Sequence, residues 1–153
     1  MTTAIDRKLA DLGLTLPEAA APIAAYVPAV EAGGLLHISG QLPFRDGVVM
    51  TGRLGEDGKD LAYGQEAAQR CALMLVAQIK SAVGLDRVAR IVKLGVFINS
   101  AGDFIDQPQV ANGASELMVA LFGEAGRHAR SAVGVPTLPR GAVVEVDAIV
   151  ALR

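Results

Sequence analysis

Side chains able to do chemistry are few in this chain. Most stand in its last quarter, RHARSAVGVPTLPRGAVVEVDAIVALR from Arg127 to Arg153. Arg130 adjoins Ser131, a Leu138-Pro139 turn follows, and Glu145 and Asp147 then stand among valines, alanine and isoleucine. A guanidinium presents a planar fork that matches a carboxylate bidentately, and a nearby acid can hold a water or exchange a proton. A glycine just after a strand, as in Ser39-Gly40, lets a ligand reach main-chain amides. Together with Tyr26 and Asn112, these residues suit a small carboxylate-bearing substrate that needs water and a proton, with no cofactor. The competing reading pairs Arg130 with Glu145 or Asp147 to stabilise a subunit interface. It leaves Tyr26 to edge packing, Ser39 to strand hydrogen bonding and Asn112 to a helix surface.

Other chemistries lack their signatures. His37 and His128 lie far apart, there is no HExxH and only one cysteine, so no metal site is expected. Ser39 is outside any G-x-S-x-G elbow, and no G-x-G-x-x-G opens a helix after a strand. Gly58-Lys59 resembles part of a phosphate loop. The glycine six positions earlier is one too far, and Asp60 replaces the required Ser or Thr. Cys71 lies in an apolar helical stretch and is expected to pack in the core.

The elements that must carry these residues follow from periodicity. Ile5, Leu9 and Leu12 at helical spacing, closed by Gly13, predict a short amphipathic helix over 3–12. Pro22 and Pro28 bracket an extended segment with Tyr26, read as an edge strand or ordered loop, and Glu31 to Gly34 reads as a turn. LLHIS is a strand with Leu36 and Ile38 on one face, and Asp46-Gly47 is a hairpin turn before Val48 to Met50. From Leu61 to Val83 a broad apolar stripe, Ala68, Cys71, Ala72, Leu75, Ile79 and Ala82, predicts a core helix. Arg90 to Asn99 reads as a strand with Val92, Leu94, Val96 and Ile98 together on one face. A second helix starts near Asp106 and ends before Gly123, with Ala111, Ala114, Leu117, Met118 and Leu121 inward. A short strand at Ser131 to Val135 and a long final strand complete the order. In that last strand Val144, Val146, Ala148 and Val150 share one face, and Glu145 and Asp147 share the other. One mixed sheet with two helices packed on one face accounts for the pattern. The second sheet face is too apolar to stay wet, so a homo-oligomer packing its sheets together is expected.

A chain of 153 residues fits a single domain, 1–153, that buries a core without disulfide or metal. Net charge is -2 and the pI about 5.6, and aromatics make up 4% of residues. An acidic, aromatic-poor chain with no basic stripe argues against nucleic acid as a partner. No run approaches the roughly 18 apolar residues of a membrane span. The N-terminus lacks the apolar core of a secretory signal, and a cytoplasmic location is expected.

At this point the residues resemble a known family. YVPAVEAGGLLHISGQLP, from Tyr26 to Pro43, is similar to the YxxxVxxGxxxxxSGQxP segment of the RidA/YjgF family, also labelled endoribonuclease L-PSP or translation initiation inhibitor. Ala129-Arg130-Ser131, followed by LP and VEVDAI, resembles the same family's C-terminal signature. The N-terminal helical extension at about 3–12 and the HARSAVGV wording resemble a longer RidA-like subgroup. The resemblance implies a chorismate-mutase-like α+β fold and a homotrimer whose sheets enclose a central barrel, with sites in clefts between subunits. It implies hydrolysis of reactive 2-imino acids of the 2-aminoacrylate type to 2-oxo acids and ammonia. Carried over, Arg130 clamps the substrate carboxylate, Ser39, Gly40 and Ser131 line the site, and Tyr26 and Asn112 bind beside them. Asp147 stands for the family's water-holding acid, which is usually Glu, and Ala132 replaces a frequent Cys. Two further readings are a trimeric 2-oxo-acid-binding or regulatory protein without turnover and, third, an endoribonuclease.

Overall fold

The computed structural model describes residues 2–56 and 58–153. Its first helix, α1 (Ala4–Asp11), begins with a reciprocal cap: the Thr3 hydroxyl accepts from the Asp6 amide at 3.1 Å, and the Asp6 carboxylate accepts from the Thr3 amide at 2.7 Å. Two otherwise orphaned amide donors are satisfied by one pair of residues. Asp6 also meets Lys80 at 2.9 Å, and these partners hold its carboxyl down to about pKa 2. Residues 13–28 then run as a strap without regular secondary structure.

The strap leads into an edge strand, β1 (Ala29–Ala32), and a hairpin to β2 (Leu35–Gln41). The turn is only Gly33-Gly34. Glu31 and Ala32, expected within it, pair instead with Leu36 and Leu35. Two residues suffice because both glycines take positive φ, 59° and 78°, the geometry that matches strand twist. A two-residue turn at Asp46-Gly47 likewise joins β3 (Phe44–Arg45) to β4 (Val48–Val49).

Helix α2 (Leu61–Ala82) opens where the Asp60 carboxylate accepts from the Tyr63 amide at 2.9 Å. Its expected stripe is buried apart from Ala82, which the fraying last turn exposes. Helix α3 (Gln107–Phe122) buries Ala111, Ala114, Leu117, Met118 and Leu121 as expected. The remaining strands are β5 (Val88–Asn99), β6 (Ala129–Val135) and β7 (Val144–Leu152). Sheet order is β1-β2-β7-β5-β6, antiparallel except for the β5–β6 pair. Helices α2 and α3 lie together on one face, α2 over β2 and the buried Val144, Val146, Ala148 and Val150 of β7, and α3 over β5 and β6. The mixed α+β architecture is therefore the one expected.

One face of β5 differs from the alternation read in sequence. Ile91 is buried and Val92 is exposed, because the register slips by a residue between Ile91 and Lys93 against β7. This β-bulge inserts an extra residue and flips the faces of Arg90 and Ile91, and a second slip between Val88 and Arg90 returns Val88 to the buried side. The opposite sheet face carries Phe97, Val133, Glu145, Asp147 and Ile149, and no element of the chain covers it among the described residues.

Candidate functional site

Three separate regions hold the residues singled out in the sequence. The first is a cavity of about 700 Å³ between the strap, the end of β2, β3 and the start of β7. Tyr26, Ser39 and Gly40 line it, and so does Glu145. Gly40 lies in the β2 irregularity between Ile38 and Gln41. A methyl group built there would overlap the Glu145 carboxylate, so the missing side chain is what admits that acid. Burial, and then the nearby Asp147 charge, push the Glu145 carboxyl above the ordinary glutamate range. The Ser39 hydroxyl donates to the Val27 carbonyl at 2.9 Å and its amide to the Pro28 carbonyl at 2.9 Å. Ser39 thus fixes the strap beside Tyr26. Arg140, held at φ 59°, lines the same cavity with its guanidinium 5.7 Å from the Phe44 ring centre.

The second region is the far sheet edge. Arg130 on β6 donates through Nη1 to Asn112 Oδ1 at 2.9 Å and to Ser115 Oγ at 3.1 Å, and through Nη2 to the Pro108 carbonyl at 3.2 Å. All three acceptors are neutral. Among the described residues Arg130 forms no ion pair, so its charge is not consumed by Glu145 or Asp147. Ser115, which the sequence did not single out, and His128, considered there only as a metal ligand, complete the cradle. His128 Nδ1 donates to the Gly126 carbonyl at 2.6 Å, which leaves Nε2 to accept from the Ser115 hydroxyl at 2.8 Å. Burial and the Arg130 charge both hold the His128 pKa below its ordinary value, in keeping with a neutral ring. Asn112 faces this guanidinium instead of solvent, and that pairing had no sequence signal beyond helical spacing.

Asp147 and Ser131 occupy a third place. They line a recess on the open sheet face with His37, Lys93 and Gly95. Burial raises the Asp147 carboxyl, partly offset by the Gly95 amide and Lys93. Ser131 neighbours Arg130 in sequence but points to the other side of β6, as strand alternation requires. Within one protomer Arg130 and Asp147 thus stand on opposite faces. Ser39 on β2 and Arg130 on β6 are three strand spacings apart, roughly 14 Å. Among the described residues no group of three metal-ligating side chains occurs, and no helix is long and apolar enough to cross a membrane.

Comparison with known proteins agrees with this fold. Residues 6–152 match the family model described as "YjgF/chorismate_mutase-like, putative endoribonuclease". Protein TCP17 of Trypanosoma cruzi is 56% identical over 145 residues, covering 93% of this chain and 90% of its own. The 2-iminobutanoate/2-iminopropanoate deaminase of Escherichia coli is 35% identical over 137 residues, covering 88% and 93%. The crystal structure of Atu1372 from Agrobacterium tumefaciens, a protein of unknown function, superposes with a TM-score of 0.92 at 45% identity over 98% of this chain and 93% of that one. Matching in sequence over nearly its whole length and in fold over the same span, the chain belongs to the YjgF/RidA family.

Proposed function

We propose that this protein is an imine and enamine deaminase that hydrolyses reactive 2-imino acids to 2-oxo acids and ammonia. The observation that carries the reading is a carboxylate of raised pKa at the polar end of an apolar-walled cavity, with an unconsumed guanidinium elsewhere on the same sheet. The name borne by the Escherichia coli relative supports it. Arg130 grips the substrate carboxylate through its remaining N–H donors while Asn112 and Ser115 hold the fork still. Water attacks C2 of the protonated imine: its oxygen bonds to carbon, the C=N pair moves to nitrogen, and an acid side chain takes the water proton. The acid returns that proton to the amino nitrogen of the carbinolamine, the C–N bond breaks to release ammonia, and the hydroxyl proton passes to the regenerated carboxylate as the C=O bond forms. An acid whose pKa lies nearer neutrality can both accept and return that proton.

The cavity lining favours Glu145 for this role. Asp147, expected for it from the family motif, faces the recess with Lys93 and His37. Arg130 lies too far from Glu145 of its own chain to share one small substrate, so the site closes between two copies. A homotrimer meeting through its open sheet faces satisfies this need and covers Phe97 and Val133.

The test couples an amino-acid oxidase to added protein and follows imine lifetime. Wild type shortens it, and Arg130→Ala and Glu145→Gln each lose about a hundredfold or more in kcat/KM. Asp147→Asn keeps most of the rate. A reversal of the last two results would move the role to Asp147, and no acceleration by wild type with any imino acid would remove the enzyme claim.

A further inference from the structure

The strap that walls the cavity carries information about which substrates fit. Its anchor is built into the core: Gln78 of α2, 3% exposed, donates through Nε2 to the Ala20 carbonyl at 2.8 Å and to Gln41 Oε1 at 3.2 Å. Gln41, itself 6% exposed, donates to the Ser39 carbonyl at 2.8 Å. Two buried amides therefore tie the strap, the core helix and the Ser39-Gly40 end of β2 into one network. Leaving any of these buried groups unpaired would be costly, so the strap has a defined position over the cavity. Leu14 and Leu16 pack against the core just before it.

Beyond that anchor the chain reads Ala20-Ala21-Pro22-Ile23-Ala24. The alanines form a wall and leave the space in front of it open. Ile23, 61% exposed, lines the same cavity, and Leu42 and Phe44 add further apolar lining from outside the strap. The cavity volume of about 700 Å³ lies in the range of sites that enclose ligands much larger than a four-carbon imino acid. Both the wall and Glu145 belong to the same chain, so the wall remains whatever closes the open side.

We propose that the strap, through Ala20 to Ala24, sets specificity for 2-imino acids with an apolar side chain of branched-aliphatic or aromatic size rather than for 2-aminoacrylate-sized ones. The proposal rests on the deaminase reading for its reaction. The carboxylate and reacting carbon stay at the polar end beside Glu145, and the side chain extends along the alanine wall. Each added methylene that fits an apolar pocket contributes about a tenfold gain in selectivity. The class of reaction supplying such substrates is two-electron oxidation of the corresponding amino acids across the Cα–N bond.

The experiment compares imines generated from alanine, leucine and phenylalanine with wild type and with Ala21→Leu, an exposed position whose larger side chain occupies the space before the wall. Wild type should show kcat/KM at least about tenfold higher for the leucine- or phenylalanine-derived imine than for the alanine-derived one. Ala21→Leu should shift that ratio severalfold towards the alanine-derived imine. Turnover of the alanine-derived imine with a flat or falling size series overturns the specificity proposal and leaves the deaminase reading standing. Where no imine is turned over, the deaminase reading fails and calorimetry decides the pocket. Tighter binding of 4-methyl-2-oxopentanoate than of pyruvate, weakened in Ala21→Leu, supports it, and equal or weaker binding overturns it.

Discussion

Gly40 and Glu145 are the residues whose fit is tightest, because the acid side chain occupies the space that a Cβ at position 40 would need. Gly40→Ala therefore displaces the carboxylate by an ångström or so, and a shift of that size costs about a hundredfold in rate. Steady-state kinetics beside an unchanged melting profile would separate this from loss of fold. Glu145 also sets a pH dependence whose sign follows from its environment. Burial and the Asp147 charge raise its carboxyl, so the carboxylate form is lost on acidification at a higher pH than for a free glutamate. The acid limb of kcat/KM should lie above the ordinary glutamate range and move to lower pH in Asp147→Asn, which removes the repelling neighbour. Immobility of that limb in the variant would mean that Glu145 does not carry it. The sequence makes Arg130 legible as an anion-binding candidate from its chemistry. It does not tell Glu145 from Asp147, since both share a strand face. Which of the two opens onto the cavity depends on where β2 slips its register at Gly40, and alternation along β7 is blind to that.

Elements with a strong period are legible almost residue by residue. The stripes of α2 and α3 and the buried face of β7 come from spacing alone. The face of β5 before Lys93 is not legible, because a bulge leaves no mark in a run of apolar residues. Nor is the strap, whose alanines have neither period and whose placement comes from a glutamine fifty-eight positions away in sequence. The packing of α2 on α3 depends on a point contact that composition also hides. A Cβ at Gly113 would collide with the Gln65 main-chain carbonyl, and backbone cannot yield as a flexible side chain can. Gly113→Ala should therefore destabilise the protein by about 1–3 kcal/mol, although alanine ordinarily favours a helix. Urea unfolding checks it: a lower midpoint at unchanged slope is expected, and a higher midpoint would mean that the helices separate without cost.

At the scale of the whole molecule, the proposed deaminase reaction calls for a site shared between copies. The guanidinium sits on the helix side of edge strand β6, and the cavity acid sits on the open side of the central strand β7. On that proposal a second protomer joins them, and the face bearing Phe97, Ile149 and Val133, uncovered among the described residues, offers apolar surface for it to bury. This arrangement makes a prediction that no single-chain site shares. Arg130→Ala retains a good acid, and Glu145→Gln retains a good guanidinium. Each alone is inactive, yet an interface at which the second protein's arginine meets the first protein's glutamate is intact. Random exchange of equal amounts into trimers leaves about a quarter of interfaces of that kind, by the statistics of a closed three-membered ring. Mixing the two variants under conditions that allow subunit exchange should therefore restore about a quarter of wild-type activity. A site contained in one chain would restore none, whereas any closed ring of copies, a dimer included, would restore the same quarter, so the regained rate tests the shared site and sedimentation of the mixture tests the symmetry that builds it.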